Sequence, residues 1–161
     1  MKKLIATIQN CNIWQGTDGR CWMVADADID CDGSGGNPDH DPYFQPDTSL
    51  HDHEGKALNA YTVPFIVLPP AAMLGVTGRV LGCRARVHYL ETGKIAEAVV
   101  GDQGPRLKVG ELSVECARRL GMPSNPNTGG CQDFSLVLYE WWPGFPAVVD
   151  GVIYPLQHFG Q

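Results

Sequence analysis

Positive charge is missing where this 161-residue chain is most acidic: from Cys21 to Glu54 there is no Lys or Arg. That stretch holds nine carboxylates: Asp26, Asp28, Asp30, Asp32, Asp39, Asp41, Asp47, Asp52 and Glu54. The net charge of −6 therefore divides into −9 there and +3 from the nine acids and 12 bases elsewhere. Without a basic patch, duplex nucleic acid is excluded as a partner. A cationic partner, a bound cation or plain solubility remain. Long apolar runs are missing too. The longest uncharged stretch, Ala57 to Gly78, is broken by Asn59, Pro64, Pro69 and Pro70, so no spanning helix and no membrane partner are expected. No CxxC pair occurs among the six cysteines, which removes the usual zinc and thioredoxin spacings. Their even number is compatible with up to three disulfides or with buried free thiols. No signal peptide is recognisable: after Lys2 and Lys3 the apolar stretch ends within five residues at Gln9-Asn10, which reads as the start of a mature chain.

What is present is 43% hydrophobic and rich in turn formers, with 19 Gly and 12 Pro. This excludes disorder and a long helical bundle. No repeat or linker divides the chain, so one domain over residues 1–161 is expected, with 1–19 as an N-terminal extension or edge segment. Short strands are predicted at Cys21 to Ala27, Thr62 to Leu68, Val80 to Leu90, Lys94 to Gly101, Ser135 to Trp141 and Ala147 to Tyr154. The strict alternation Arg84-Ala85-Arg86-Val87-His88-Tyr89 marks a half-buried strand, and Glu91-Thr92-Gly93 turns it into the next. Val109, Leu112, Cys116 and Leu120 predict one helix, with Glu111 in its first turn, Gly121 beyond its end and Pro123 blocking continuation. Mainly β structure in a small closed barrel, with one or two short helices, is the expected architecture.

Asp102 ends an apolar strand and Glu111 follows Gly110, with a Gln103-Gly104-Pro105 turn between them. Such a reversal sets two acids across a cleft, and a carboxyl pair is what glycoside hydrolysis requires. Turn and helix capping would use the same residues. Asp28, Asp30, Asp32 and Gly33 imitate positions 1, 3, 5 and 6 of a calcium loop, but Asp39 stands at position 12 and prolines flank it, so no EF-hand is expected. Read as a strand end, Asp26, Asp28, Asp30 and Asp32 share one face and repel unless a cationic ligand offsets them. His51 and His53 are spaced as a metal pair without a third ligand, and Ser49, His51 and Asp52 lack the pattern of a catalytic triad. Trp141 and Trp142 cannot both face inward from one strand; the exposed one would stack on a sugar or an ammonium group.

The runs DADIDCDG (Asp26 to Gly33), DPYFQPDTSLHD (Asp41 to Asp52), LNAYTVPFIVLP (Leu58 to Pro69), GDQGPRLKVGELS (Gly101 to Ser113) and YEWWPG (Tyr139 to Gly144) together resemble the chitosanases of glycoside hydrolase family 75, over roughly residues 20–156. The resemblance implies endo-hydrolysis of the β-1,4 bonds of chitosan with inversion, a barrel related to the double-psi type, and no metal or other cofactor. It places the catalytic acids on Asp102 and Glu111. We expect Glu111 as general acid and Asp102 as base, with carboxyls about 6.5–9.5 Å apart. A helix N-terminus would oppose this by lowering the Glu111 pKa, so exchanged roles stay open. Asp26, Asp28, Asp30, Asp32, Tyr43, Gln45, Ser49, His51, Asp52 and Trp141 are the expected substrate-binding residues. The expected partner is chitosan or its oligomers, met by an extracellular monomer. Competing expectations are a hydrolase of another amino-sugar polymer such as peptidoglycan, and a non-catalytic carbohydrate- or calcium-binding module.

Overall fold

The computed structural model describes residues 1–158. Along the chain lie β1 (Lys2–Ile8), β2 (Cys11–Gly16), β3 (Cys21–Ala25), β4 (Asp28–Asp30), β5 (Phe65–Leu68), a 3-10 turn (Pro70–Ala72), β6 (Cys83–Tyr89) and β7 (Lys94–Gln103). They are followed by β8 (Glu111–Ser113), α1 (Val114–Arg119), β9 (Val137–Pro146), β10 (Val148–Val149) and β11 (Val152–Ile153). Nine strands form one curled sheet in the order β1-β2-β3-β9-β6-β7-β5-β8-β4, while β10 and β11 make a separate hairpin. The mainly β expectation holds, but closure does not: the sheet is a half-barrel with β1 and β4 at its two edges.

Local chemistry accounts for most elements. In β6 the alternation is realised residue by residue, with Cys83, Ala85, Val87 and Tyr89 inside and Arg84, Arg86 and His88 toward solvent. Gly93 turns β6 into β7 at φ 73°, in the region glycine enters without a Cβ clash. Gln9 and Asn10, which interrupt the first apolar run, are the turn itself. Both have positive φ, and Ile8 pairs with Cys11, giving a two-residue hairpin at the sheet edge.

The helix is shorter than its apolar stripe predicts. Glu111 to Ser113 form β8, and α1 begins only at Val114. Gly110 sits at φ 77°, outside the helical region, and β8 is paired with β4 on one side and β5 on the other. Ser113 Oγ seals the boundary: it accepts from Phe65 N and Cys116 N and donates to Val63 O. It is thus the helix cap and a sheet anchor at once.

One sheet face and α1 enclose the larger core, including Ile13, Met23, Val87, Val100, Leu112, Cys116, Leu120, Tyr139 and Trp141. A smaller cluster on the other face joins Leu50, Leu58, Phe65, Val67, Val99, Ala147, Val149 and Tyr154. All six cysteines are buried free thiols and fill core volume. Trp141 needs correction as a substrate-binding residue: it is fully buried and presents no ring face. Its neighbour Trp142 points the opposite way, with the Arg84 and Arg86 guanidiniums 4.6 and 5.5 Å from its ring centre. Accordingly Trp141→Ala should cost about 3–5 kcal/mol in urea unfolding. Trp142→Ala, losing mainly exposed stacking, should cost about 1 kcal/mol.

Candidate active site

Val67 pairs with Asp102 of β7 on one side and with Glu111 of β8 on the other, and Glu111 pairs in turn with Asp28 of β4. Paired residues share a sheet face, so Asp102, Val67, Glu111 and Asp28 form one row across four strands. Two strand spacings put the Asp102 and Glu111 backbones about 10 Å apart.

Asp102 reaches this face through a bulge. Ala96, Ala98 and Val100 of β7 point into the larger core, and strict alternation would send Asp102 after them. Instead Ile66 pairs with Val100 and Val67 with Asp102, skipping Gly101. The extra residue turns Asp102 to the opposite face. Glycine is required at the bulge, where a Cβ would lie 2.8 Å from both Leu58 Cδ1 and Phe65 Cβ.

The row floors a cleft of about 560 Å³ lined by Asp28, Asp30, Asp32, Asp41, Tyr43, Val67, Asp102, Gln103, Gly104, Lys108 and Glu111. Asp102 is 7% exposed, and its Oδ1 accepts from Ser49 N, Ser49 Oγ and Gln103 N, each at 2.9 Å. Burial raises its pKa above the usual carboxylate range, against the pull of these donors. Glu111 Oε1 meets Lys108 Nζ at 2.8 Å, and the same ammonium lies 2.9 Å from Asp28 Oδ2. The Glu111 pKa is raised as well: burial dominates, the Lys108 hydrogen bond and charge oppose it, and Asp28 and Asp32 add to it. Since Glu111 lies on a strand, the expected conflict with a helix dipole disappears. Its Oε2 faces Gly104, where a Cβ would stand 3.0 Å away, so the glycine leaves that oxygen clear.

Asp30 Oδ1 accepts from Asp32 N at 2.7 Å, and its carboxyl stands close to those of Asp32 and Asp102. Burial, then the charges of Asp32 and Asp102, push its pKa up to about 9. Among the described residues, Asp30, Asp32 and Asp102 are the one group with oxygens close enough for a metal, within 4.8 Å of one another.

The other expected residues divide by position. Asp28, Asp32 and Tyr43 line the cleft, and Ser49 touches it through Asp102. Asp26 does not line it: the carboxyl is 4% exposed beneath Gly110, and its Oδ1 has no hydrogen-bond partner among the described residues. Gln45, His51 and Asp52 build loops. The Gln45 amide donates to Asp32, His51 Nε2 meets Asp47 at 2.7 Å, and Asp52 accepts from Glu54 N and Lys56 N. The calcium-loop reading fails because Asp28 to Asp30 is a strand whose first carboxylate is held by Lys108. Lys108 itself escaped the sequence reading. Its only signal was a base three residues before Glu111, just ahead of the stretch expected to be helical.

Asp26, Asp30, Asp32, Asp102 and Glu111 all have raised pKa values, about 6 for Asp26 with burial as its first cause. The folded protein then binds more protons than the unfolded chain above pH about 4, so their contribution falls as pH rises. It is complete below the unfolded values, ends near pH 6 for Asp26 and continues falling to about 9 for Asp30. Melting temperature should therefore decline from mildly acidic to alkaline pH, and Asp26→Asn should flatten the part below pH about 7. A melting curve that rises over this range, or is unchanged in slope by Asp26→Asn, would contradict these protonation states.

Residues 27–152 match a family model described as fungal chitosanase of glycosyl hydrolase group 75. No curated protein matches the chain.

Proposed function

Given that the chain belongs to the glycosyl hydrolase group 75 chitosanases, we propose that it cleaves internal β-1,4 bonds of chitosan with inversion, using Asp102 as base and Glu111 as acid. The observation that carries this reading is the row in which Val67 separates the two acids. Inversion sets the two carboxyls about 6.5–9.5 Å apart with a water between Asp102 and the sugar, whereas retention needs about 5–5.5 Å. Asp102 removes a proton from that water as its oxygen bonds to the anomeric carbon. The bond from that carbon to the bridging oxygen breaks, and Glu111 transfers its proton to the departing oxygen. One water is consumed, and the new reducing end carries the inverted configuration. Burial of Glu111 favours the proton-bearing form that the acid needs, and its clear Oε2 faces the cleft.

Chitosan carries protonated amines, and the cleft answers them with Asp28, Asp32 and Asp41. Tyr43, 84% exposed at the rim, offers a ring face for a sugar. Every group in the proposal comes from one chain and none needs a cofactor, so a monomer acting on the polymer outside the cell suffices. No helix among the described residues is long and apolar enough to cross a membrane.

Asp102→Asn and Glu111→Gln should each lower kcat on chitosan hexamer by about 10²–10⁴-fold. Melting temperatures should not fall, because each change removes a buried ionisable group. A proton NMR time course on the wild type should show the inverted anomer first. Initial release of the retained anomer, or full activity in either variant, would overturn the assignment. Faster cleavage of highly acetylated chains would move the substrate toward another amino-sugar polymer.

A further inference from the structure

We infer that Asp30 is a positioning residue for Asp102: it stands in the cleft as a neutral carboxylic acid whose O–H is donated to the base, and it does not bind substrate amines as a carboxylate. This rests on the reading of Asp102 as the base. The geometry comes from three separate segments. Asp30 ends β4 in the parallel ladder with β8, opposite Ser113. Its Oδ1 is fixed by the Asp32 amide at 2.7 Å, so the carboxyl has a set orientation. Oxygens of Asp30, Asp32 and Asp102 lie within 4.8 Å of one another, and those of Asp32 and Asp102 are the carboxylate charges that act most strongly on Asp30.

Carboxylates this close in a shielded cleft cannot all ionise, so the group retains a proton. Its place follows from the donors. Asp102 Oδ1 already takes three, which stabilise its charge, and Asp32 Oδ1 takes the Gln45 amide at 2.8 Å. A proton on the central Asp30 removes two repulsions at once, and the pKa of about 9 agrees with that placement. The charged groups facing Asp30 are Asp32 from its own segment, Asp102 from β7 and Glu111 from β8, while Lys108 is engaged with Asp28 and Glu111. With the proton in place, Asp102 meets a fixed donor where an ionised neighbour would repel it. The base is held ionised and in one orientation before substrate arrives.

The two forms of Asp30 predict opposite shifts. Asn at this position can accept from the Asp32 amide and donate to Asp102. Asp30→Asn should therefore keep kcat within about threefold and leave KM unchanged. Asp30→Ala removes the donor, so kcat should fall about tenfold or more, and the acidic limb of kcat/KM should move up by about one pH unit as Asp102 becomes easier to protonate. Were Asp30 ionised, the same Ala variant would lose a like charge and move that limb down, and Asp30→Asn would raise KM on chitosan hexamer. Either result overturns the proposal. Carboxyl carbon-13 NMR of the wild type gives a readout independent of activity and of how the Ala variant folds. The Asp30 carboxyl should titrate well above pH 7, and an ionised signal at pH 7 would overturn the proposal. An active Asp102→Asn would instead remove the base assignment while this signal still reported the shared proton. A calcium titration of the wild type with a melting readout should show no stabilisation, and a clear rise would mean that the three carboxylates hold a cation.

Discussion

The double pairing of Val67 is the constraint on which the cleft depends. Its ladders on both sides place Asp102 and Glu111 on one face with a single side chain between them. Neither acid is near the other by chain direction alone, since a loop of seven residues separates β7 from β8. The bulge at Gly101 decides whether Asp102 belongs to the cleft or to the core, and the space there admits only a residue without a side chain. A short central strand, one extra residue and one missing Cβ together set the placement of the two acids.

Concentrating carboxyls in a partly shielded cleft opposes folding at neutral pH, because burial and mutual repulsion favour proton uptake. The structure limits this in two ways. Lys108 lies between Asp28 and Glu111 and neutralises part of the row, while backbone amides and Ser49 satisfy Asp102. What remains is a site with protons held above their usual range, a common cost of acid–base chemistry near neutrality. Asp26 is the clearest residue of that cost: a buried carboxyl with one oxygen unpartnered among the described residues, packed against Gly110 next to Glu111.

Some of this was readable in one dimension. The alternation in β6 and the glycine of its hairpin follow from local rules, and so does the end of α1 at Gly121. The helix start was misjudged for a physical reason. Val109, Leu112 and Cys116 recur at helical spacing, whereas a three-residue strand is too short to display its own period, and its extended form is imposed by partners on both sides. Trp141 and Trp142 show the same limit: alternation requires opposite directions but cannot say which ring faces the core.

Composition and order alone determined an acidic segment without bases, a mainly β chain, and two carboxyls flanking a glycine-rich turn. Only the tertiary structure decided that Glu111 lies on a strand, that Asp102 is turned outward, and that Asp30 meets Asp102 across the cleft. The reason is that charge, period and turn propensity act over a few residues. Register, bulges and shared protons arise where strands distant in sequence are held at contact distance.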